Sequence, residues 1–313
     1  LQSTFATMKK RTLITLCIFC CANIIHSQIT EAPKNNELSG DLSYEIIPSL
    51  GDQQLTIIGG EVDQTIGIGA SSLNFGLGYY NYGFIFNSVA KDESLVNAFE
   101  QNHLISLHAG YGLSFGNQWH WQLSLSPTFS STLNDSPSLE DVIFNSKSTI
   151  SKRLTSTGGQ IEFGLGYGTL FGAPSLYPII SYNSALGTKW HYQIGFPESF
   201  IKYKPSWKNE WSFSAQQDGD YINNPRPSNF SSNEEAIANS KLEYRSTKFE
   251  LNYSTALHEC YRAYIGLGYY TNTSLEINSP NGKLLYPLNS DNSFSINFGI
   301  KFQLDNNIKT KEK

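Results

Sequence analysis

Apolar and polar residues alternate with period two along most of the chain from about residue 40 onward, which predicts β-strands. The string Gly-Leu-Gly-Tyr occurs three times inside such stretches, at Gly76–Tyr79, Gly164–Tyr167 and Gly266–Tyr269, and Gly110–Leu113 is a near relative. Successive side chains of a strand point to opposite faces, so each copy puts Leu and Tyr on one face and bare glycine on the other. A soluble sandwich would bury the apolar face and set charged residues opposite it. Here the opposite face carries glycine, serine, asparagine and glutamine, the pattern of a membrane barrel with lipid outside and a polar interior.

The clearest strands are His103–Phe115, Trp119–Phe129, Gly158–Phe171, Leu242–Leu257, Tyr261–Ile277 and Phe294–Leu304. Weaker ones read at Gly40–Leu50, Thr65–Gly69, Tyr177–Tyr182, Trp190–Phe196, Ser199–Pro205 and Trp211–Gln217. In Ser71–Phe86 the apolar parity moves from Leu73, Phe75, Leu77 and Tyr79 to Tyr82, Phe84 and Phe86, which predicts a bulge near Tyr80 or a strand leaving the bilayer. Long polar connections are expected at Asn87–Asn102, Asn134–Thr149, Asp218–Asn239 and Ser279–Asn292, with short turns at Gly116–Gln118, Ser206–Asn209 and His258–Cys260. The expected fold is all-β: a transmembrane antiparallel up-and-down β-barrel of about 12 strands, with 10 to 14 as rough bounds, over Gly40–Leu304. The tight connection at Gly195–Glu198 falls where twelve strands would place an outer loop.

Met8 is the only methionine, and Lys9-Lys10-Arg11, an apolar run from Leu13 to about Ile25 and then Ser27 follow it. This is the order of a secretory signal peptide, expected over 8–27, with 1–7 an upstream extension, 28–39 a periplasmic arm and 305–313 a polar tail. Ile18 and Phe19 ahead of Cys20 do not make a small-residue lipoprotein site. Cys17, Cys20 and Cys21 would leave with the signal, so Cys260 has no partner for an internal disulfide. The chain has 22 basic and 27 acidic residues, an excess that grows once Lys9, Lys10 and Arg11 are removed. That sign excludes a nucleic-acid binder. Elsewhere no run reaches the roughly 18 apolar residues of a transmembrane helix, yet aromatics make up 13% of the chain.

At Asp41-Leu42-Ser43-Tyr44, at Ile194–Ser199 leading into Lys202-Tyr203-Lys204, at Trp211–Ser214 and along Tyr261–Tyr270, the chain resembles an uncharacterised outer-membrane β-barrel family of Bacteroidota. The resemblance covers most of the processed chain. It implies a Gram-negative outer-membrane location and the barrel fold, and no reaction. The last strand, with Phe294, Ile296, Phe298, Ile300 and Phe302 on one face, is similar to the signal read by the barrel-assembly machinery. That machinery, outer-membrane lipids and a small solute are the expected partners.

No Gly-x-Ser-x-Gly elbow, zinc-binding His-Glu-x-x-His or phosphate-cradling loop is present, and Arg262 stands where His258-Glu259 would need a second histidine. The expectation is a protein that is not an enzyme, with no cofactor and no metal. A charge on the lipid face at mid-depth costs a few kcal/mol, so ionisable residues on the polar parity should face the lumen. His120, Glu162, Glu250, His258, Arg262 and Lys301 are the candidates. They either tie up a plugged interior or line a solute path. The expected role is a small passive channel or solute-binding barrel. The alternatives are a closed structural or adhesion barrel acting through its loops, a rim hydrolase of lipid or peptide, and a soluble secreted β protein.

Overall fold

A computed structural model describes residues 36–87, 94–154, 158–229 and 235–305; the expected signal peptide lies outside them. The strands in chain order are β1 (Glu37–Leu50), β2 (Gln53–Ile68), β3 (Ser71–Phe86), β4 (Gln101–Phe115) and β5 (Trp119–Ser131). Next come β6 (Val142–Arg153), β7 (Gln160–Phe171), β8 (Ala173–Leu186), β9 (Trp190–Phe196) and β10 (Glu198–Tyr203). The last are β11 (Asn209–Asn224), β12 (Ser240–His258), β13 (Tyr261–Asn278), β14 (Leu284–Leu288) and β15 (Ser293–Asp305). A single helical turn, α1 (Ser94–Asn97), and a 3-10 turn at Leu139–Asp141 sit in connections.

Each strand pairs antiparallel with its neighbours, and β15 joins β13 to β1, so the sheet closes into a ring. Fourteen strands form the wall, against about twelve expected; β14 hangs on β13 outside the ring. The strand beyond the expected set is β6, which begins inside the expected polar connection Asn134–Thr149. Its outward positions include Ser146, Ser148 and Lys152, so the apolar alternation is broken there.

The lipid-facing surface follows the repeated motif. Leu77, Leu165 and Leu267 are 54%, 62% and 58% exposed, while Gly78, Gly166 and Gly268 are buried on the inner face. All five tryptophans stand at or near the end of the barrel that carries the termini. Trp190 packs on Tyr203 and Trp211 on Tyr253, with ring centroids 4.4 and 4.7 Å apart, as in an interfacial aromatic girdle.

No bulge interrupts β3: its register with β2 and β4 is continuous from Ser71 to Gly83. The apolar parity changes because the interior itself becomes apolar toward the loop end. There Phe84 joins Ile47, Leu50, Leu55, Ile222, Leu242, Tyr244 and Ile277 in a buried cluster. Leu95, Val96 and Phe99, from the expected polar connection between β3 and β4, drop into the same cluster and are fully buried. Burial of that apolar surface fixes the segment where composition alone indicated a loop.

The wall is also unequal in height. β9 and β10 have only seven and six residues, and the β8–β9 ladder starts at Ile180–Phe196. Asp218–Asn224, expected to be loop, is instead the outer half of β11. It continues past the end of β10, leans across the lumen and meets β5 in a parallel bridge between Asn223 and Ser131. At the loop end the ring is therefore closed through β11, β12, β13, β15, β1, β2, β3, β4 and β5, nine strands instead of fourteen. Barrel diameter grows with strand number, so this end is narrow enough for side chains to fill.

Candidate functional site

Below the apolar cluster the lumen holds a chamber of about 660 Å³ reaching toward the termini end. Inward faces of β1, β2, β3, β11, β12, β13 and β15 build it. Eight carboxylates line it, from Glu37 and Glu259 near the mouth through Asp41, Glu61 and Asp63 to Glu45, Asp218 and Glu250 deeper in. The opposing cations are Lys248, Arg262 and Lys301.

Strand register brings these groups together. Asp41 faces Glu61 across the β1–β2 ladder and Lys301 across the β1–β15 ladder. Glycines of the repeated motif stand opposite the polar side chains. Gly78 faces Glu61 and Gly76 faces Asp63; Gly268 faces Glu250 and Ser295, and Gly266 faces Asn252 and Asn297. A β-carbon on Gly266 would collide with the side-chain oxygens of both asparagines. The missing side chains make sockets for polar groups, which answers why glycine recurs there.

The chamber's deep end is an ion-paired layer. Lys248 Nζ lies 2.9 Å from Glu45 Oε2 and 2.5 Å from Glu250 Oε2, with the Tyr270 ring centroid at 5.4 Å. Tyr270 and Ser295 hydroxyls donate to Glu45 Oε1 at 2.9 and 2.6 Å, and Asn297 Nδ2 donates to Glu250 at 2.6 Å. Asn252 Nδ2 also donates to Glu250. The buried ammonium is thus paired with two carboxylates and lies over one aromatic face. Nearer the mouth, Lys301 Nζ sits 5.1 Å from the Tyr264 ring centroid, and Tyr264 donates to Asp41 at 3.1 Å.

Of the residues singled out from sequence, Glu250, Arg262 and Lys301 line the chamber. Arg262 donates to the backbone oxygens of Trp207 at 2.6 Å and Lys208 at 3.3 Å, tying the β10–β11 turn to the mouth. His120 and Glu162 belong to another part of the wall. Both pair with Ser151 across β6, and they bond to Ser114 and Ser181 at 3.2 and 3.3 Å. His258 does not point along the polar parity of β12. The register slips between Ala256 and His258, and the exposed ring stands 6.3 Å from outward-facing Tyr261.

Sequence reading missed Glu45, Glu61, Asp63, Asp218 and Lys248. Glu61 and Asp63 flank Val62, with Ile58 and Ile66 on the same parity as Val62, and that alternation was the available signal. Asp218 was hidden by Asp-Gly-Asp, which reads as a turn.

A closed barrel with an apolar belt, an aromatic girdle and a charged interior is the architecture of outer-membrane proteins, and this is an outer-membrane protein of a Gram-negative bacterium. No protein-family model matches the sequence, and no curated protein matches it. Similar solved structures include the NanC porin, at 9% identity over 85% of this chain and 100% of that one, TM-score 0.38. An outer-membrane channel from Pseudomonas putida F1 aligns at 8% identity over 88% and 97% of the two chains, TM-score 0.44. The toluene transporter TodX of P. putida aligns at 11% identity over 90% and 93%, TM-score 0.36.

Proposed function

We propose that the protein is a solute-binding barrel whose chamber accepts an organic amine cation from the periplasmic side. Long loops face outward in such barrels, and here connections 87–100, 132–141, 225–239 and 279–292 all lie at the end opposite the termini. The tight turns at Gly51-Asp52, Gly172 and Pro197 lie alongside them, and the chamber reaches toward the termini end. The observation that carries the reading is a recurring arrangement of carboxylates beside a tyrosine. With Glu45, Glu250 and Tyr270 it is filled by Lys248; at Asp41 and Tyr264, Lys301 faces the carboxylate across the ladder and lies over the tyrosine ring without a salt bridge. Glu61, Asp63 and Tyr80 repeat it on the same wall. Among the described residues no salt bridge reaches either carboxylate, and the cationic groups that act on Glu61 from a distance are His108 and the Lys301 already facing Asp41. An ammonium on the solute would supply the missing charge, and a tyrosine face adds cation–π attraction.

Titration calorimetry of the refolded protein with spermidine tests this. The wild type should bind, and Glu61→Gln with Asp63→Asn should weaken binding at least about tenfold, or about 1.4 kcal/mol. Binding that the double substitution leaves unchanged would overturn the assignment. The apolar seal at the loop end supports a second reading, a closed barrel acting through its loops. That reading predicts no amine binding, and a surface interaction lost when the β11–β12 loop is shortened.

A further inference from the structure

Two strand edges in the wall lie without a continuous ladder. On β8, Ala173–Ile179 pairs only with β7, because β9 ends at Phe196, level with Ile180. Pro174 and Pro178 fall in that stretch, and proline, which lacks an N–H, suits a strand edge. On β11, pairing with β10 ends at Glu198–Gln216, followed by one bond from Gln217 N to Pro197 O at 3.1 Å. Beyond it the β11 edge meets β5 at the single bridge Asn223–Ser131, with Thr132 N donating to Asn223 O at 2.9 Å.

Small polar side chains hold this crossing. Asn223 Nδ2 donates to Asp141 Oδ1 at 2.8 Å, and Thr132 Oγ1 donates to Asn224 Oδ1 at 3.2 Å. Farther down, Thr169 Oγ1 donates to Gly219 O at 3.0 Å where the β7–β8 turn lies on β11. Gly219 permits that approach, since a β-carbon there would collide with the Thr169 carbonyl. The apolar seal is attached to the same element: Ile222 of β11, and Leu242 and Tyr244 of β12, which ladders with β11 throughout its outer half.

We infer that the β5–β11 seam is the outer gate of the chamber. In the closed form β11 docks on β5 and carries Ile222, Leu242 and Tyr244 into the lumen. In the open form the seam parts at Asn223–Ser131, and the laddered outer halves of β11 and β12 swing back toward the unpaired edge of β8. The outer ring then widens from nine strands toward fourteen. The gate extends the chamber reading by giving it a second opening, but conductance needs no amine and amine binding needs no seam, so the two fail separately.

Planar-bilayer recording of the refolded full barrel in a Cys260→Ser background tests the gate with potassium chloride as the probe. Ser131→Cys with Asn223→Cys, oxidised, should silence openings that return on reduction. Asp141→Ala with Asn223→Ala should raise open time at least about tenfold. As a second measurement, Ile222→Cys, fully buried in the closed form, should react with a membrane-impermeant maleimide at least about tenfold faster when Asp141→Asn is added. The oxidised seam disulfide should block that reaction. A folded barrel in which conductance and labelling are indifferent to staple and latch would overturn the proposal.

Discussion

Asp63 on β2 stands directly across the ladder from Gly76 on β3, and a β-carbon at Gly76 would fall on its carboxylate oxygen. The same relation joins Asn252 and Asn297 to Gly266. At these two copies of the motif glycine therefore does not widen an empty pore. It lets neighbouring strands aim polar side chains into one chamber, whereas Gly166 of the third copy makes room for the Tyr177 ring.

Gly266→Ala should cost about 1–3 kcal/mol, because Asn252 and Asn297 must both move and both also donate to Glu250. Gly83→Ala is the control, since the nearest atom to its β-carbon, Gln101 Nε2, is 3.4 Å away in ordinary contact. Urea unfolding of the two variants in lipid should separate them, with Gly83→Ala staying within about 0.5 kcal/mol of wild type.

Lys248→Met leaves Glu45 and Glu250 buried without their counter-ion. The expected loss is about 3–5 kcal/mol. Adding Glu45→Gln should recover part of it, which a double-mutant cycle on unfolding free energies would read out. Additive effects of the two substitutions would show that the pair does not act as a unit.

Asp141, outside the strands, accepts from Asn223 Nδ2, from Ser138 N at 2.6 Å and from Ser138 Oγ at 3.1 Å. Burial alone would push its carboxyl up, but hydrogen bonds from Ser131, Asn223 and Ser138 outweigh burial and hold it below the usual carboxylate value. A folded-state value below the unfolded one contributes stability that is complete above about pH 4. That contribution disappears as pH falls through the lowered value. The difference in unfolding midpoint between wild type and Asp141→Asn should therefore be large at neutral pH and shrink on acidification toward about pH 2. A constant difference would assign the carboxylate no role in the seam.

The barrel class was legible because Leu77, Leu165 and Leu267 must meet lipid, and period two carries that requirement straight into the sequence. What was illegible follows equally from physics. On β6, Ser146, Ser148 and Lys152 occupy outward positions, which erases the apolar alternation. The plug was hidden because Phe84 and Tyr82 are inward yet apolar or aromatic, so inner and outer faces look alike at that end. The chamber depends on cross-strand register between residues as distant as Glu45 and Lys248, and no local spacing records it.

Cation selectivity of the chamber is read out by titrating the refolded barrel in parallel with spermidine, succinate and 1,4-butanediol at low and physiological salt. Spermidine alone should bind, and more weakly as salt screens the carboxylates. Succinate binding as well as spermidine, or spermidine binding that ignores salt, would rule out a cation-selective chamber.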